Sequence, residues 1–309
     1  MTDVGIVGLD TSHAESFADV ITDRLGGDLT AVWDGGDVRS ESYGDEFCTR
    51  YGATAYEDPH AMTDDVDAVM ILTVDWNTHC ALAVPFLEAD VPTLVDKPIA
   101  GRLHDVDALR AAAEGTPFFG GSAIAYHPEL SKLSSQKDDR TLYCVGYNDR
   151  FYYGSHLIDP LCRITDESWA CVSPGDDPGQ TVDIVFDDGT YATIRLDNTE
   201  DVDQFSFLSI GNQPKSVKVG SSKPELERMY QPYLTAFFDV IDGQRDVSKR
   251  VFETAELLLA VHAALEYDRP ITPGCERLAT HHVESEEFLT AYQSKTYISE
   301  QSRRSREVD

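Results

Sequence analysis

Lys97 stands just past the apolar run "PTLV" in "LVDKPIAG", where a buried strand gives way to a turn. Folds built from such strands collect ligands at the strands' C-terminal edge. An ammonium there can hydrogen-bond a reacting oxygen and shift the pKa of a base beside it. His156 and Asp159 follow in "YYGSHLIDPL", at an i, i+3 spacing that puts both on one helical face. An imidazole titrates near neutrality, which suits proton transfer. The plainer alternatives are a turn lysine and a helix-face histidine beside a capping carboxylate.

A second set of residues could grip a ligand. "VGIVGLDTSHAES", residues 4–16, reads as a strand, a glycine turn and a helix. Such a unit binds a dinucleotide by aiming backbone N–H groups and a helix N-terminus at the pyrophosphate. Gly8 suits the tight turn, but Asp10 and His13 stand where small residues belong. The Asp10 carboxylate would repel phosphate unless it turns away to cap the helix that begins near Thr11 or Ser12. Asp34 ends the next strand, 26 positions after Gly8, and can accept hydrogen bonds from ribose hydroxyls while repelling a 2′-phosphate. Read alone, these residues fit a cofactor site or an ordinary turn equally well.

The elements that must position these side chains are legible. Up to residue 121 short apolar runs alternate with helical patterns: "DVGIVGL", "LTAVWD", "ATAYED", "VDAVMILT", "PTLVDKP" and "PFFGGS" read as strands, with helices between them. Apolar strands alternating with helices predict a doubly wound, Rossmann-like parallel sheet over residues 1–121. From residue 122 to 309 the pattern changes to strands such as "TLYCVGYND" and "QTVDIVFDDGTYATIRLD", the latter with a hairpin at Asp188-Gly189, followed by two long helices. This predicts an α+β domain with a large, mostly antiparallel, open sheet. The polar tail from about Ser294 is expected to be loose.

Composition narrows the function classes. Acidic residues outnumber basic ones 55 to 25, for a net charge of -30 spread along the chain. Such a surface repels phosphate backbones, so no nucleic-acid partner is expected. Diffuse acidity suits a halophilic organism's salty cytoplasm, where screening is severe. The 6 cysteines show no CxxC spacing and read as buried thiols of a reducing compartment. The N-terminus lacks the marks of a signal peptide and no run is apolar over ~20 residues, so a cytoplasmic protein without membrane contact is expected. His281, His282 and Glu284 could ligate a metal, but consecutive histidines aim poorly at one ion, and no metal is expected.

Asp96-Lys97-Pro98 resembles the Glu-Lys-Pro signature of the Gfo/Idh/MocA oxidoreductases, a family that includes glucose–fructose oxidoreductase and inositol dehydrogenase. "ILTVDWNTHCALAVPFLEADVPTLVDKPIAG" is similar to that family's strand, small-residue loop, His-bearing helix, strand and Lys-Pro turn, and "YYGSHLIDPL" to its Gly-x-His-x-x-Asp helix. The resemblance covers all but the C-terminal tail. It implies an NAD(H)-dependent oxidoreductase, NADP being disfavoured, that moves hydride between nicotinamide and the hydroxyl or carbonyl carbon of a sugar, inositol or polyol. By resemblance Lys97 lies beside the nicotinamide and the substrate hydroxyl, and His156 is the general base. Asp159 then binds a substrate hydroxyl or orients His156. Tyr152 stands where the family has an aspartate, so it either shares the acid/base work or marks altered chemistry. Tyr126 and His127 fall where members contact substrate or cofactor. Gly8, Asp10, Thr11, Ser12, Asp34, Thr73, Asn77, His79, Asp96, Lys97 and Pro98 make up the expected cofactor site. The resemblance also implies a homodimer or homotetramer through the C-terminal sheet. Two other functions fit the departures at Asp10, His13 and Tyr152: a binding or regulatory protein without redox turnover, and an enzyme using bound NAD for a step without net redox change.

Overall fold

The computed structural model of the chain describes residues 1–36, 38–134, 141–177, 179–197 and 204–307. Six strands form a parallel sheet: β1 (Asp3–Val7), β2 (Asp28–Trp33), β3 (Thr54–Ala55), β4 (Ala68–Ile71), β5 (Thr93–Val95) and β6 (Phe118–Gly120). Helices α1 (Ser12–Val20), α2 (Glu41–Tyr51), α3 (His79–Glu88) and α4 (Leu103–Ala112) connect them. Every residue of β4 is buried, as a strand covered on both faces must be. The spatial order is β3-β2-β1-β4-β5-β6. Chain direction across the sheet reverses between β1 and β4, and an open α/β sheet gathers ligands outside the strands' carboxyl ends at such a switch point. The turns after β1, β4 and β5 meet there, and they carry Gly8, Thr73 and Lys97.

A second sheet follows the short helix α5 (Ser131–Ser134). It contains β7 (Thr141–Tyr147), β8 (Trp169–Pro174), β9 (Thr181–Phe186), β10 (Tyr191–Asp197), β11 (Gln204–Ile210) and β12 (Lys215–Gly220). In the order β12-β11-β7-β10-β9-β8 all neighbours are antiparallel except β7 and β10. Asp188-Gly189 makes the expected turn between β9 and β10, with Gly189 at φ +86°. Helix α6 (Ser155–Thr165) leaves the end of β7, and α7 (Lys223–Ile241) and α8 (Ser248–Tyr267) complete the packing. One face of the sheet buries Leu142, Cys144, Ile184, Ile194 and Phe207, while Tyr143, Val145, Val185, Tyr191 and Ile210 stay exposed. Both layers belong to one continuous hydrophobic cluster.

α7 begins at Lys223, where Pro224 suits a first helical turn. One element differs from expectation. The tail expected to be loose lies within a helix: after the short α9 (Glu276–Thr280), α10 runs Glu286–Glu307. Phe288 and Tyr292, one turn apart, give α10 an apolar edge, and both rings pack on Tyr152. All 6 cysteines are free; Cys144 and Cys162 are buried and the other four are half-buried. Among the described residues no helix is long and apolar enough to cross a membrane.

Candidate active site

The turn after β1 is built around one glycine. Gly8 has φ +93°, and a Cβ there would lie 2.7 Å from the Thr73 backbone nitrogen. Only glycine lets the β1 turn approach the β4 loop this closely. Thr11 caps α1, its hydroxyl accepting the His13 N–H at 3.1 Å. The cap is therefore Thr11 and not Asp10. The Asp10 carboxylate instead accepts the Val74 N–H at 2.7 Å and ties the glycine turn to the loop after β4. Asp34 accepts the Leu9 N–H at 3.2 Å, while Arg39 Nε donates to the Leu9 carbonyl.

His13, the second misfit in the turn, reaches across to the Lys-Pro turn. Its Nδ1 lies 2.6 Å from Asp96 Oδ2, and Asp96 Oδ1 accepts the Lys97 N–H at 2.8 Å. Burial alone would raise the Asp96 carboxyl, but His13 and Lys97 hold it below the usual carboxylate range. The Lys97–Pro98 peptide is cis. The Lys97 Nζ sits 3.0 Å from the centre of the Tyr152 ring and 5.5 Å from that of Tyr153. Burial pulls Lys97 down to about 7, against the pull of Asp96, Asp149 and Asp159.

Helix α6 brings the third group. His156 Nδ1 lies 2.6 Å from Ser122 Oγ, and Asp159 Oδ2 accepts the Ser122 N–H at 2.8 Å. One serine just past β6 thus holds both members of the i, i+3 pair. Gly121, at φ +88°, makes room for this, because a Cβ there would lie 2.6 Å from Asp159 Oδ1. Burial pushes Asp159 up to about 7, with Asp96 adding to it and Ser122 and Lys97 opposing. Burial and the nearby Lys97 and His13 keep His156 well below its ordinary range. The Tyr152 phenol lies well above its ordinary value, again through burial, so it stays protonated.

Thr11, Ser12, His13, Lys97, Tyr152 and His156 share the wall of one cavity of about 450 Å³. A second cavity of about 430 Å³, lined by Arg39 and Tyr43 among others, shares Ser12, Asn148, Tyr153 and Tyr292 with the first. The two make a continuous cleft across the N-terminus of α1, with α10 along one side. Phe288 stacks on Tyr152 at 4.3 Å between ring centres. The cleft thus brings a buried amine and an imidazole, with the Asp159 carboxyl behind them, to a groove that ends at a helix N-terminus.

The remaining candidates lie elsewhere. Tyr126 and His127 line a separate cleft of about 410 Å³, where the Arg163 guanidinium stacks 4.1 Å over Tyr126 and His127 meets Glu225 at 2.9 Å. His79 is fully buried, its ring nitrogens 2.8 Å from the Thr73 carbonyl and 3.3 Å from that of Ile99. It braces the β4 loop against the Lys-Pro turn. Thr73 contacts the Thr78 hydroxyl, and Asn77 donates to Ser285. His281 lies 2.9 Å from His262, and His282 pairs with Glu284.

Residues 2–117 match the model of an oxidoreductase family with an NAD-binding Rossmann fold, GFO_IDH_MocA. That stretch holds β1 to β5 of the parallel sheet, and it is similar to the NAD-binding part of the Gfo/Idh/MocA oxidoreductases. Solved structures extend the likeness of fold over both sheets. GenD2 from gentamicin A biosynthesis, in complex with NAD, superposes with a TM-score of 0.76 at 18% identity, covering 89% of this chain and 97% of that one. A probable dehydrogenase from Thermotoga maritima gives 0.73 at 19% identity, over 87% and 98% of the two chains. Scyllo-inositol dehydrogenase from Lactobacillus casei, with bound NAD(H) and scyllo-inositol, gives 0.70 at 16% identity, over 88% and 99%. No curated protein matches the chain in sequence. The Gfo/Idh/MocA two-domain fold, a Rossmann sheet followed by a mostly antiparallel sheet, is the fold of this protein.

Sequence reasoning missed three contributors to this site. Ser122 carries no motif; only its place after the Gly120-Gly121 pair that ends β6 marks it. Phe288 and Tyr292 precede the polar tail and carry no motif, though their i, i+4 spacing was a signal of a packed helix.

Proposed function

We propose that the chain is an NAD(H)-dependent oxidoreductase moving hydride between a nicotinamide and the hydroxyl or carbonyl carbon of a sugar, inositol or related polyol. One observation carries this reading: Lys97 and His156 share a single cavity with the N-terminus of α1, in a domain matched by an NAD-binding oxidoreductase family. The glycine turn fits a dinucleotide, because Gly8 leaves the approach to Thr73 open and the backbone of Thr11 and Ser12 starts α1. Asp34 would accept the ribose hydroxyls and disfavour NADP. Asp10, Thr73, Asn77, His79, Asp96 and Pro98 would shape and brace the pocket. The bound nicotinamide would supply the hydride acceptor or donor.

Lys97 and His156 would manage the proton on the substrate oxygen, and Asp159 would bind a neighbouring hydroxyl. Tyr152 would assist as the ring beneath the Lys97 ammonium, since burial makes its own proton hard to release. Tyr126 and His127, in their separate cleft, fall outside this set. The division between the two domains would fall near residues 121 and 122, and the exposed face of the second sheet would join subunits. The diffuse acidity fits salt-rich cytoplasm, and the partners are small molecules.

Titrating NADH and NADPH in molar salt, followed by nicotinamide fluorescence, is the direct test. A panel of sugars and polyols with NAD⁺ then finds the substrate. Failure to bind either cofactor would overturn the reading and leave a binding protein without redox chemistry.

A further inference from the structure

We propose that Ser122 is a positioning residue that fixes His156 as the tautomer protonated on Nε2, making it a hydrogen-bond donor toward the cavity and leaving Lys97 as the proton carrier. This rests on the oxidoreductase reading above, but its starting point is hydrogen-bond geometry alone. The Ser122 hydroxyl is buried, at 1% exposure for the residue, and its oxygen accepts the Ile124 N–H at 3.2 Å. Its proton then has one acceptor among the described residues, His156 Nδ1 at 2.6 Å. A buried hydroxyl proton without an acceptor costs about 1–3 kcal/mol, so the hydroxyl donates to Nδ1. A neutral imidazole whose Nδ1 accepts carries its hydrogen on Nε2. The His156 ring lines the cavity that also holds Lys97, and among the described residues no protein group hydrogen-bonds its Nε2 in competition with a ligand there.

The assignment changes who does what. An imidazole that presents an N–H to the substrate oxygen stabilises charge on that oxygen but does not collect its proton. The cavity's other imidazole, His13, is held at Nδ1 by Asp96, which leaves Lys97 as the base. In alcohol oxidation the hydroxyl proton passes to the neutral Lys97 amine, giving an ammonium; an oxidised nicotinamide, when bound, would supply the hydride acceptor as the C–O bond becomes C=O. Reduction reverses each transfer. His156 stays neutral throughout and holds the oxygen. Burial, with Lys97 and His13 adding to it, disfavours a charged imidazole, in keeping with this role.

The test is a nitrogen-detected NMR spectrum of the full-length, cofactor-free protein carrying histidine labelled with heavy nitrogen. The His156 signals are assigned by their loss in His156→Gln. A pyrrole-type Nε2 and a pyridine-type Nδ1 are expected in the wild type, with part of the population moving to the other tautomer in Ser122→Ala. A protonated Nδ1 in the wild-type spectrum overturns the proposal, even if turnover is robust. If Ser122→Ala fails to fold, the wild-type spectrum still decides. In turnover, Ser122→Ala should lower kcat by roughly 10²-fold, the size of losing one oriented donor. The pH midpoint should stay where Lys97 sets it, and a midpoint that moves with Ser122 would return the base role to His156. Absence of turnover with every polyol would instead count against the proposed function and leave the tautomer result standing.

Discussion

His13 Nδ1 and Asp96 Oδ2 lie 2.6 Å apart, across 83 residues of sequence, and join the turn after β1 to the turn after β5. Two departures from the family's pattern therefore explain each other. A histidine replaces a small residue in the glycine turn, and the shorter aspartate replaces glutamate before Lys97. The histidine also stacks on Phe17 at 4.9 Å, so its bulk is packed into α1. His13→Ala should leave a buried carboxylate without this partner and cost about 3 kcal/mol of stability. Because Asp96 is held low in the folded state, its contribution is present above the usual carboxylate range and is lost as pH falls through the folded value. Denaturant midpoints measured from pH 7 to pH 3 should show a weaker acid dependence in His13→Ala. Identical profiles would mean that the pair contributes nothing.

Lys97 at about 7 sets the direction of the pH dependence. Oxidation needs the neutral amine, so kcat/KM for the alcohol should rise with pH through about 7. Reduction needs the ammonium and should fall above it. Lys97→Ala should abolish turnover while leaving NADH affinity mostly intact. Retained turnover in that variant would remove Lys97 from the chemistry.

Asp159→Asn separates stability from function at one residue. Its carboxyl rises to about 7 through burial, so in the wild type stability is lost as pH climbs from ordinary carboxylate values through 7. The amide oxygen can still accept the Ser122 N–H, and the variant should be more stable than the wild type above pH 7. If Asp159 binds a substrate hydroxyl, KM should rise at the same time. An unchanged KM would reduce its role to holding the helix and the serine together.

Asp34→Ala tests cofactor choice. Loss of a carboxylate that accepts ribose hydroxyls should weaken NADH by about tenfold or more, the worth of a hydrogen bond to a charged group. The same change removes repulsion from a 2′-phosphate, so NADPH should lose less or gain. Equal losses for both cofactors would show that Asp34 acts only through the Leu9 N–H it accepts.

The sheet architecture was legible because period and burial agree: β4 is apolar at every position and buried at every position. The Lys97, His156 and Asp159 cluster was legible because each sits at a strand edge or on one helical face. What pairs these residues was not. Asp10 reads as a helix cap until the fold shows Val74 N–H closer to hand, and nothing near His13 in sequence announces Asp96. Ser122 looks like any loop serine, since its function depends on where α6 comes to rest. Tyr126 and His127 were expected near substrate or cofactor from their place after β6; Tyr126 ends a helical turn, His127 caps it, and both line the neighbouring cleft. Long-range pairing is set by topology, which local pattern does not encode.

The exposed face of the second sheet yields the last prediction. Tyr191 on β10 pairs with Val185 on β9, and Tyr143 and Val145 lie on neighbouring β7, opposite Thr193 and Arg195, so four large exposed side chains stand on three adjacent strands. Each of Tyr143, Val145, Val185 and Tyr191 is between 37% and 42% exposed, in a chain of net charge -30. High salt strengthens apolar burial and screens the repulsion between two chains of charge -30, so both effects favour association through this face. Val185→Glu together with Tyr191→Glu places carboxylates on it. In molar salt the wild type should elute in light-scattering chromatography at twice or four times 34.2 kDa, and the double variant as the monomer. Lys97 and His156 lie in a cavity within one chain, so the dissociated variant should keep cofactor binding. A wild type that is monomeric in molar salt would assign the apolar face to another partner.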